Sequence, residues 1–355
     1  MTGKNGPLHL VLISIHGLIR GHELELGVDD DTGGQTRYVV ELARTLGQRD
    51  DVARVDLLTR RILDSAVSSD YARREERLSD KVSIVRLDCG EEGYIHKEQL
   101  WDSLDTFADN ALSYIRERQL TPDIIHSHYA DAGYVGVRLS SLLGIPLVHT
   151  GHSLGRVKRQ RLLASGLKRD EIERQYNISR RIEVEEDVLG AAELVITSTR
   201  QEIEEQYGLY NHYQPEQMKV VPPGTELDQF YPPDGSEQNS QMRRELARFL
   251  KQPDKPFILA MSRPDARKNL GTLLEVYGES AALQQAANLV IVAGTRDDIR
   301  DMGSRPQEVL TDLLLSIDLY DLYGHVAYPK HHQPGDVPEL YRLAAASGGV
   351  FINPA

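Results

Sequence analysis

The chain has 355 residues, enough for two domains of about 100–200 residues each and for a sizeable core. Its 41 basic and 54 acidic residues give a net charge of -13, which argues against a nucleic-acid or anionic-membrane partner but leaves small anions open. A single cysteine, Cys89, excludes an internal disulfide, and the first apolar run is too short for a membrane span, so we expect a cytoplasmic protein.

Short runs rich in Val, Ile and Leu alternate with amphipathic segments along the first two-thirds of the chain. Such alternation predicts an α/β fold with a doubly wound parallel sheet. The clearest helical patterns cover residues 36–47 and 96–119. The predicted strands are residues 8–15, 55–58, 82–87, 124–127, 147–150, 194–197 and 219–221.

The stretch "YPPDGSEQNSQ" at residues 231–241 is polar and rich in turn-forming residues, as is typical of a domain boundary. We therefore predict a first domain at residues 1–235 and a second at 250–355. The second region reads as four strands and three helices, ending in a buried strand within "GGVFINPA". A complete sheet of this class has about six strands, so the second sheet is expected to be incomplete.

Two adjacent glycines, Gly33 and Gly34, precede the first amphipathic helix. Glycine lets a ligand approach the backbone closely, and a helix N-terminus offers unpaired N–H groups to an anion. The side chain of Gln35 could donate to the same ligand. These residues predict either a phosphate seat or an ordinary tight turn before a helix.

Histidines follow two of the later predicted strands. His126 and His128 close the strand at 124–127, where we expect the polar rim of a cleft; a zinc site would need a third protein ligand. His152 and Ser153 follow the strand at 147–150 and precede a cationic run that contains Lys158. For His152 a structural role and a binding role are equally consistent with this position.

Other cations occur at positions that could contact an anion. Arg180 and Arg181 are adjacent on a predicted helix and cannot point the same way, so at least one is expected on the surface. Arg263 and Lys268 follow the first strand of the second domain, where an arginine fork and a lysine charge could neutralise a diphosphate. Gly294 ends the next strand and could let a nucleotide lie close.

These motifs together resemble the sucrose-phosphate synthases. The resemblance runs in order from Leu8 to the last residue, through "HGLIRG", "TGGQTRYVVELARTL", "TGHSLGR", "SRRIEVEEDVL", "SRPDARKN" and "AYPKHH". It implies a retaining glycosyltransferase of the GT-B class, with two Rossmann-like domains facing a cleft. The N-terminal domain would bind fructose 6-phosphate and the C-terminal domain UDP-glucose, giving sucrose 6-phosphate and UDP.

The resemblance also implies roles for particular residues. Acceptor contacts are implied for Gly33, Gly34, Gln35, Lys97, Ser153, Lys158, Arg180 and Arg181. Donor contacts are implied for Gly33, Gly34, His152, Arg263, Lys268 and Gly294, with His152, Arg263 and Lys268 as the catalytic residues.

The implied mechanism is attack by the acceptor hydroxyl on the face that UDP leaves, with fixed cations stabilising the departing phosphate. It requires no protein nucleophile, metal or other cofactor, and a divalent cation would at most stimulate it. The "DDD" at residues 29–31 is then expected to be a polar loop close to the acceptor.

The family's "E-P-F-G" loop and a following glutamate, which hold the transferred glucose and the ribose, do not occur in this sequence. We therefore expect a fragment with little or no transferase activity alone. Two alternatives stay open. One is a sister enzyme of the same fold, such as sucrose synthase or mannosylfructose-phosphate synthase. The other is a truncated sugar-phosphate-binding module without turnover.

Overall fold

The computed structural model describes residues 6–25 and 31–355, and the chain divides into two compact units, Met1–Pro223 and Gly224–Ala355. The predicted boundary at 235–250 therefore lies inside the second unit. Met242 and Leu246, within that stretch, are buried with Phe257 and Leu259 in the core of the second unit, so the segment is part of a domain rather than a linker. No helix of the described residues is long and apolar enough to cross a membrane.

The first unit is built on a sheet whose strands lie in the order β3-β4-β2-β1-β5-β6-β7-β8. Among the strands of the described residues, only β3, at one edge, runs antiparallel to its neighbour; the other paired strands are parallel. The predicted strands are present, and the antiparallel β3 was not predicted. The strands are β1 (Leu8–Ile13), β2 (Val52–Arg60), β3 (Glu75–Arg77), β4 (Val82–Leu87), β5 (Ile124–His128), β6 (Leu147–Thr150), β7 (Leu194–Thr197) and β8 (Met218–Val220).

The helices of the first unit are α1 (Gly34–Gly47), α2 (Leu104–Glu117), α3 (Tyr129–Leu143), α4 (Gly155–Ala164), α5 (Arg169–Tyr176) and α6 (Ile178–Ala191). The prediction of one helix over 96–119 is wrong at its start, where two short 3₁₀ turns, Lys97–Gln99 and Trp101–Ser103, precede α2. With these turns, the adjacent residues Leu100 and Trp101 are both buried. In one regular helix adjacent side chains point about 100° apart, so the two would reach the core together less easily.

Alternate residues of β1 enter two separate apolar clusters. Val11 and Ile13 pack with residues of α2 and α3, whereas Leu10 and Leu12 pack with residues of α1. Because successive side chains of a strand point to opposite faces, this pattern shows that the sheet is covered on both sides.

The second unit has a parallel sheet in the order β11-β10-β9-β12. Its strands are β9 (Phe257–Ser262), β10 (Asn288–Ala293), β11 (Val326–Ala327) and β12 (Val350–Phe351). Its helices are α7 (Gln241–Ala247), α8 (Leu270–Glu279), α9 (Ala281–Ala286), α10 (Ser304–Leu319) and α11 (Asp336–Ala346). The four predicted strands are present, but the prediction of three helices missed α7 and the short α9.

The last strand differs from its prediction. Val350 and Phe351 were expected to be buried, yet they are 59% and 42% exposed. The reason is that β12 lies at the edge of the sheet and pairs only with β9 among the described residues.

Candidate functional site

The turn at Gly33 and Gly34 leads directly into α1, and no side chain of the described residues caps the first turn of that helix. A Cβ atom added to either glycine would meet no described atom within 4 Å. The Gln35 amide donates to Ser14 Oγ at 3.2 Å and to the His128 carbonyl at 3.4 Å. Gln35 therefore fixes the start of α1 to the carboxyl ends of β1 and β5, beside open space.

Four histidines form a cluster at the ends of β5 and β6. The rings of His126 and His128 lie 4.1 Å apart between centroids, and His128 Nδ1 lies 3.0 Å from His152 Nε2. His149 Nδ1 lies 2.9 Å from Ser127 Oγ. His126 and His128 were predicted to form the polar rim of a cleft, but both side chains are buried.

Burial keeps this cluster uncharged. It lowers the pKa of His126 to about 4 and that of His149 to about 3, and together with its neighbours it lowers the pKa of His128 well below the usual value. Loss of hydration also lowers the pKa of His152, although that residue as a whole is exposed. Neutral imidazoles can donate or accept hydrogen bonds with sugar hydroxyls but add no charge.

Two residues at this edge adopt left-handed backbone conformations that side chains disfavour. His152 has φ 56° and Tyr129 has φ 76°. Such strain costs on the order of 1–3 kcal/mol and is found disproportionately at functional sites. His16 packs against Tyr129 at 4.6 Å between ring centroids, and His16 Nδ1 lies 2.7 Å from Asp131 Oδ2.

Arg181 is the member of its pair that faces this edge. Its Nε donates to Glu185 Oε1 at 2.8 Å, and its Nη2 donates to the Ser153 carbonyl at 2.6 Å. Its guanidinium also lies 4.4 Å from the centre of the Tyr129 ring. Arg180 instead pairs with the exposed carboxylate of Asp102 at 2.5 Å. The structure thus shows which of the two adjacent arginines faces the site, a choice that the sequence did not decide.

Lys97 is held by a buried carboxylate. Its ammonium group pairs with Asp31, which also accepts from the Lys97 backbone N–H at 3.0 Å. Burial acts to lower the pKa of Lys97, but the hydrogen bond and charge of Asp31 outweigh it and raise that pKa. Asp31 is thus a partner of Lys97 rather than part of a plain polar loop; Asp29 and Asp30 lie outside the described residues.

Lys158, on α4, lies close to Lys97. One oxygen of Glu98, Oε1, lies 3.4 Å from Lys97 Nζ and 3.6 Å from Lys158 Nζ. The Lys158 ammonium also sits 3.8 Å from the centre of the Tyr176 ring. Burial, opposed by Glu98 and assisted by Arg181 and Lys97, lowers the pKa of Lys158 to about 8. Lys97 and Lys158, the lysine pair, therefore converge on one anion.

The cations of the second unit have a different environment. Arg263 follows β9 and is exposed, and Lys268 ends the 3₁₀ turn Ala266–Lys268. Neither side chain has an ion pair or hydrogen bond with the rest of the described chain. Asp265 between them pairs with Arg267, which lowers the pKa of that carboxyl to about 2.

Gly294 directly follows β10 and lies beside the same loop. It has φ +69°, and a Cβ there would lie 3.1 Å from Pro264 Cδ. Glycine therefore allows the segment after β10 to approach the segment after β9. The two predicted donor segments meet at one edge of the second sheet.

Glu98 and Glu185 were not predicted, and each holds a predicted side chain. Asp31, predicted only as part of a polar loop, pairs with Lys97, and Asp131 pairs with His16. Glu185 lies four positions after Arg181, so a search for ion pairs within helices would have found the Arg181–Glu185 pair. Glu98 follows Lys97 directly, a spacing that such a search does not cover. Among the described residues no group of three or more His, Cys, Asp or Glu side chains is placed to hold a metal ion.

Residues 33–224 match the model of the glycosyl transferase 4-like domain. The chain belongs to this glycosyltransferase family. The match begins at the glycine turn and covers the carboxyl-edge segments of the first unit that carry His152, Lys158 and Arg181. The predicted enzyme class, a glycosyltransferase, is confirmed.

The curated relatives of this glycosyltransferase chain include a probable sucrose-phosphate synthase from Arabidopsis thaliana. It is 45% identical over 99% of this chain and 39% of its own length. A sucrose-phosphate synthase from Zea mays is 44% identical with the same coverage. The predicted resemblance is confirmed, and the chain spans about two-fifths of the length of these relatives.

Among solved structures, a sucrose-phosphate synthase from Thermosynechococcus elongatus matches 98% of this chain and 75% of its own, with a TM-score of 0.68 and 26% identity. The Anabaena HepE protein in complex with UDP-glucose matches 94% of this chain and 71% of its own, with a TM-score of 0.53 and 14% identity, which bears on the fold alone. The predicted GT-B fold class is confirmed.

Proposed function

We propose that the activity to which this chain contributes is that of a sucrose-phosphate synthase, which transfers glucose with retention from UDP-glucose to fructose 6-phosphate, and that the 355 residues alone show little or no turnover. The family match makes the chain a glycosyltransferase, and the names of the plant and cyanobacterial relatives support sucrose phosphate as the product. The single cysteine supports a cytoplasmic location.

The convergence of the lysine pair is the observation that carries the proposal. Two ammonium groups lie within 3.6 Å of one carboxylate oxygen, and Arg181 adds a third cation close enough to lower the Lys158 pKa. This geometry suits a phosphate dianion, which needs more than one positive partner. The uncapped start of α1 would provide backbone N–H groups to the same substrate.

The donor is proposed to bind the second unit through Arg263 and Lys268. Both side chains have no ion pair with other described residues, so their charges are available to a diphosphate. The proposal of a nucleotide-sugar donor rests on the similarity to the sucrose-phosphate synthases. In the reaction these two cations would stabilise the charge that grows on the departing UDP.

The neutral histidine cluster is proposed to hold the transferred sugar. His152 lies at the end of β6 with its Nε2 hydrogen-bonded to His128, so its other ring nitrogen is left to contact a hydroxyl group. A neutral ring orients the sugar without competing with the cations for the phosphate groups. The proposed reaction uses no metal or other cofactor.

The acceptor half of the proposal is tested by calorimetric titration of the 355-residue protein with fructose 6-phosphate and with fructose. We expect fructose 6-phosphate to bind and fructose to bind at least about tenfold more weakly, because only the first brings a dianion to the lysine pair. Equal binding of the two sugars would contradict the proposal.

Two substitutions localise the effect. Lys158→Met is expected to weaken fructose 6-phosphate binding by about tenfold or more, since it removes one charged partner. Lys219→Met removes an exposed lysine on β8 and serves as the matched control, with no change expected. A titration with UDP separates the enzyme from a sugar-phosphate-binding module, because the module would bind the acceptor but not UDP.

A further inference from the structure

Glu98 has a position that the proposed function does not explain. Its carboxylate lies between the two ammonium groups that are proposed to bind the acceptor phosphate, at 3.4 Å from one and 3.6 Å from the other. These distances exceed the roughly 2.7–2.9 Å of a close charged hydrogen bond. The side chain is 21% exposed and has no backbone N–H partner among the described residues. In the described chain it is held only by the two lysines, through their charge and through long, weak hydrogen bonds.

The other carboxylates of this group are fixed in place. Asp31 is 4% exposed and accepts from the backbone N–H of Lys97 as well as pairing with its ammonium group. Glu185 is 3% exposed and accepts from the Gly155 N–H, at 2.9 Å, and from Arg181. Glu98 is therefore the only one of these three anions that can turn away without leaving backbone groups unpaired.

We propose that Glu98 is a specificity-determining residue of the acceptor site, whose carboxylate competes with the substrate phosphate for Lys97 and Lys158. A phosphate that contacts both lysines needs the point at which Glu98 Oε1 lies, so the side chain must turn aside when the substrate binds. A phosphate dianion attracts the two lysines more strongly than the single charge of Glu98 does, so it compensates for the lost contact. A neutral sugar offers the lysines no charge, so Glu98 discriminates against acceptors without a phosphate group. The inference rests on the proposed function.

Glu98 also sustains the charge of Lys158. The groups that face Lys158 are Lys97 and Arg181, which disfavour its proton, Glu98, which favours it, and the ring of Tyr176. With Glu98 present the pKa of Lys158 is about 8. Without it we expect a lower pKa, because two cations then act on a half-buried ammonium group with no nearby anion of its own.

The test compares Glu98→Gln with Glu92→Gln by calorimetric titration at pH 7, with fructose 6-phosphate and with inorganic phosphate as ligands. Glu92 belongs to the same loop and is exposed without an ion pair in the described chain, so its substitution is the matched control for net charge. We expect Glu98→Gln to bind both ligands about fivefold more tightly, since a negative charge close to the phosphate is removed. Glu92→Gln is expected to change binding less than twofold.

The pH dependence provides a readout that a structural role would not produce. Lys158 is charged below its pKa, so affinity falls as pH rises through that value. Because Glu98→Gln lowers this pKa, its advantage over the wild type is expected to shrink between pH 7 and pH 9. A thermal melt of each variant establishes that it is folded, and Glu98→Ala repeats the test with a second side chain.

The inference is decided by whether Glu98→Gln binds the ligands more tightly or more weakly than the wild type at pH 7. If Glu98 only positions the lysines, Glu98→Gln binds more weakly than the wild type, and the competition is refuted while the proposed function stands. Unchanged binding refutes it equally. If the wild type binds neither fructose 6-phosphate nor phosphate, the proposed function fails, and the inference fails with it.

Discussion

Cationic side chains of the candidate site lie at the carboxyl edge of each sheet, but among the described residues they are paired with carboxylates in the first unit and unpaired in the second. In the first unit Lys97 and Arg181 are paired with buried carboxylates, and Lys158 lies beside Glu98. In the second unit Arg263 and Lys268 have no such partners in the described chain. The same type of edge can therefore present charges that are already positioned or charges that are free to move.

This difference has an energetic consequence. A paired, buried cation is fixed in position, so ligand binding loses little side-chain entropy, but an internal anion can compete with the ligand. An exposed cation without an ion pair has no bound carboxylate to displace but must be ordered, at about 0.5–1.5 kcal/mol for each side chain. We expect mutations in the first unit to affect stability and those in the second unit to affect mainly binding.

The largest effect is expected for Arg181→Ala. It leaves the buried Glu185 without its guanidinium, which costs about 3–5 kcal/mol of unfolding free energy. Arg180→Ala, at the adjacent position, removes an exposed ion pair and should cost less than about 1 kcal/mol. Trp101 is the only tryptophan and lies in the first unit, so its fluorescence in urea reports this unfolding. Equal losses for the two variants would contradict the assignment of their faces.

Acid should destabilise the first unit more than the second. The buried histidines have folded-state pKa values below the unfolded value near 6.5, so their contribution is fully present above pH 6.5 and is lost as pH falls towards 4. Between pH 7 and pH 5 we expect a loss of about 2 kcal/mol for each of His126 and His149.

Hydrogen exchange at these two pH values measures both units in one sample. In the second unit His325 and His332 are only partly buried, and we expect a smaller loss there. A uniform loss of protection across the two units would show that the histidine cluster does not set the acid sensitivity.

The smallest effect is expected in the second unit. Arg263→Ala should weaken UDP binding by about tenfold, as one charged partner of a diphosphate is lost, and leave the melting temperature nearly unchanged. Arg267→Ala in the same loop is the matched control, because Arg267 is engaged with Asp265. Titration with UDP gives the comparison. A larger loss for Arg267→Ala would assign the diphosphate to a different part of the loop.

Much of the fold followed from the sequence because buried parallel strands are continuous apolar runs. The strands at Val82–Leu87, Leu147–Thr150 and Leu194–Thr197 have the predicted bounds. The turns before α2 were not predicted, since their conformation depends on burying Leu100 and Trp101 against the rest of the unit. The exposure of β12 depends on its place at the sheet edge, which its apolar residues do not reveal.

The position of the site in the fold was easier to predict than the ion pairs and hydrogen bonds within it. Ends of parallel strands share an edge, so His152 and Arg263 could be assigned to an edge from sequence alone. The partner of Lys97 could not be predicted from the sequence, because Asp31 is 66 residues earlier in the chain. Likewise, the choice between Arg180 and Arg181 depends on the rotation of α6 about its axis.

The most direct test of the central claim is a crystal structure of the protein with fructose 6-phosphate bound. We predict that the phosphate lies within about 3 Å of both Lys97 Nζ and Lys158 Nζ, with the Glu98 carboxylate turned away from them. A sugar phosphate bound elsewhere on the first unit, with Glu98 still between the two lysines, would contradict it.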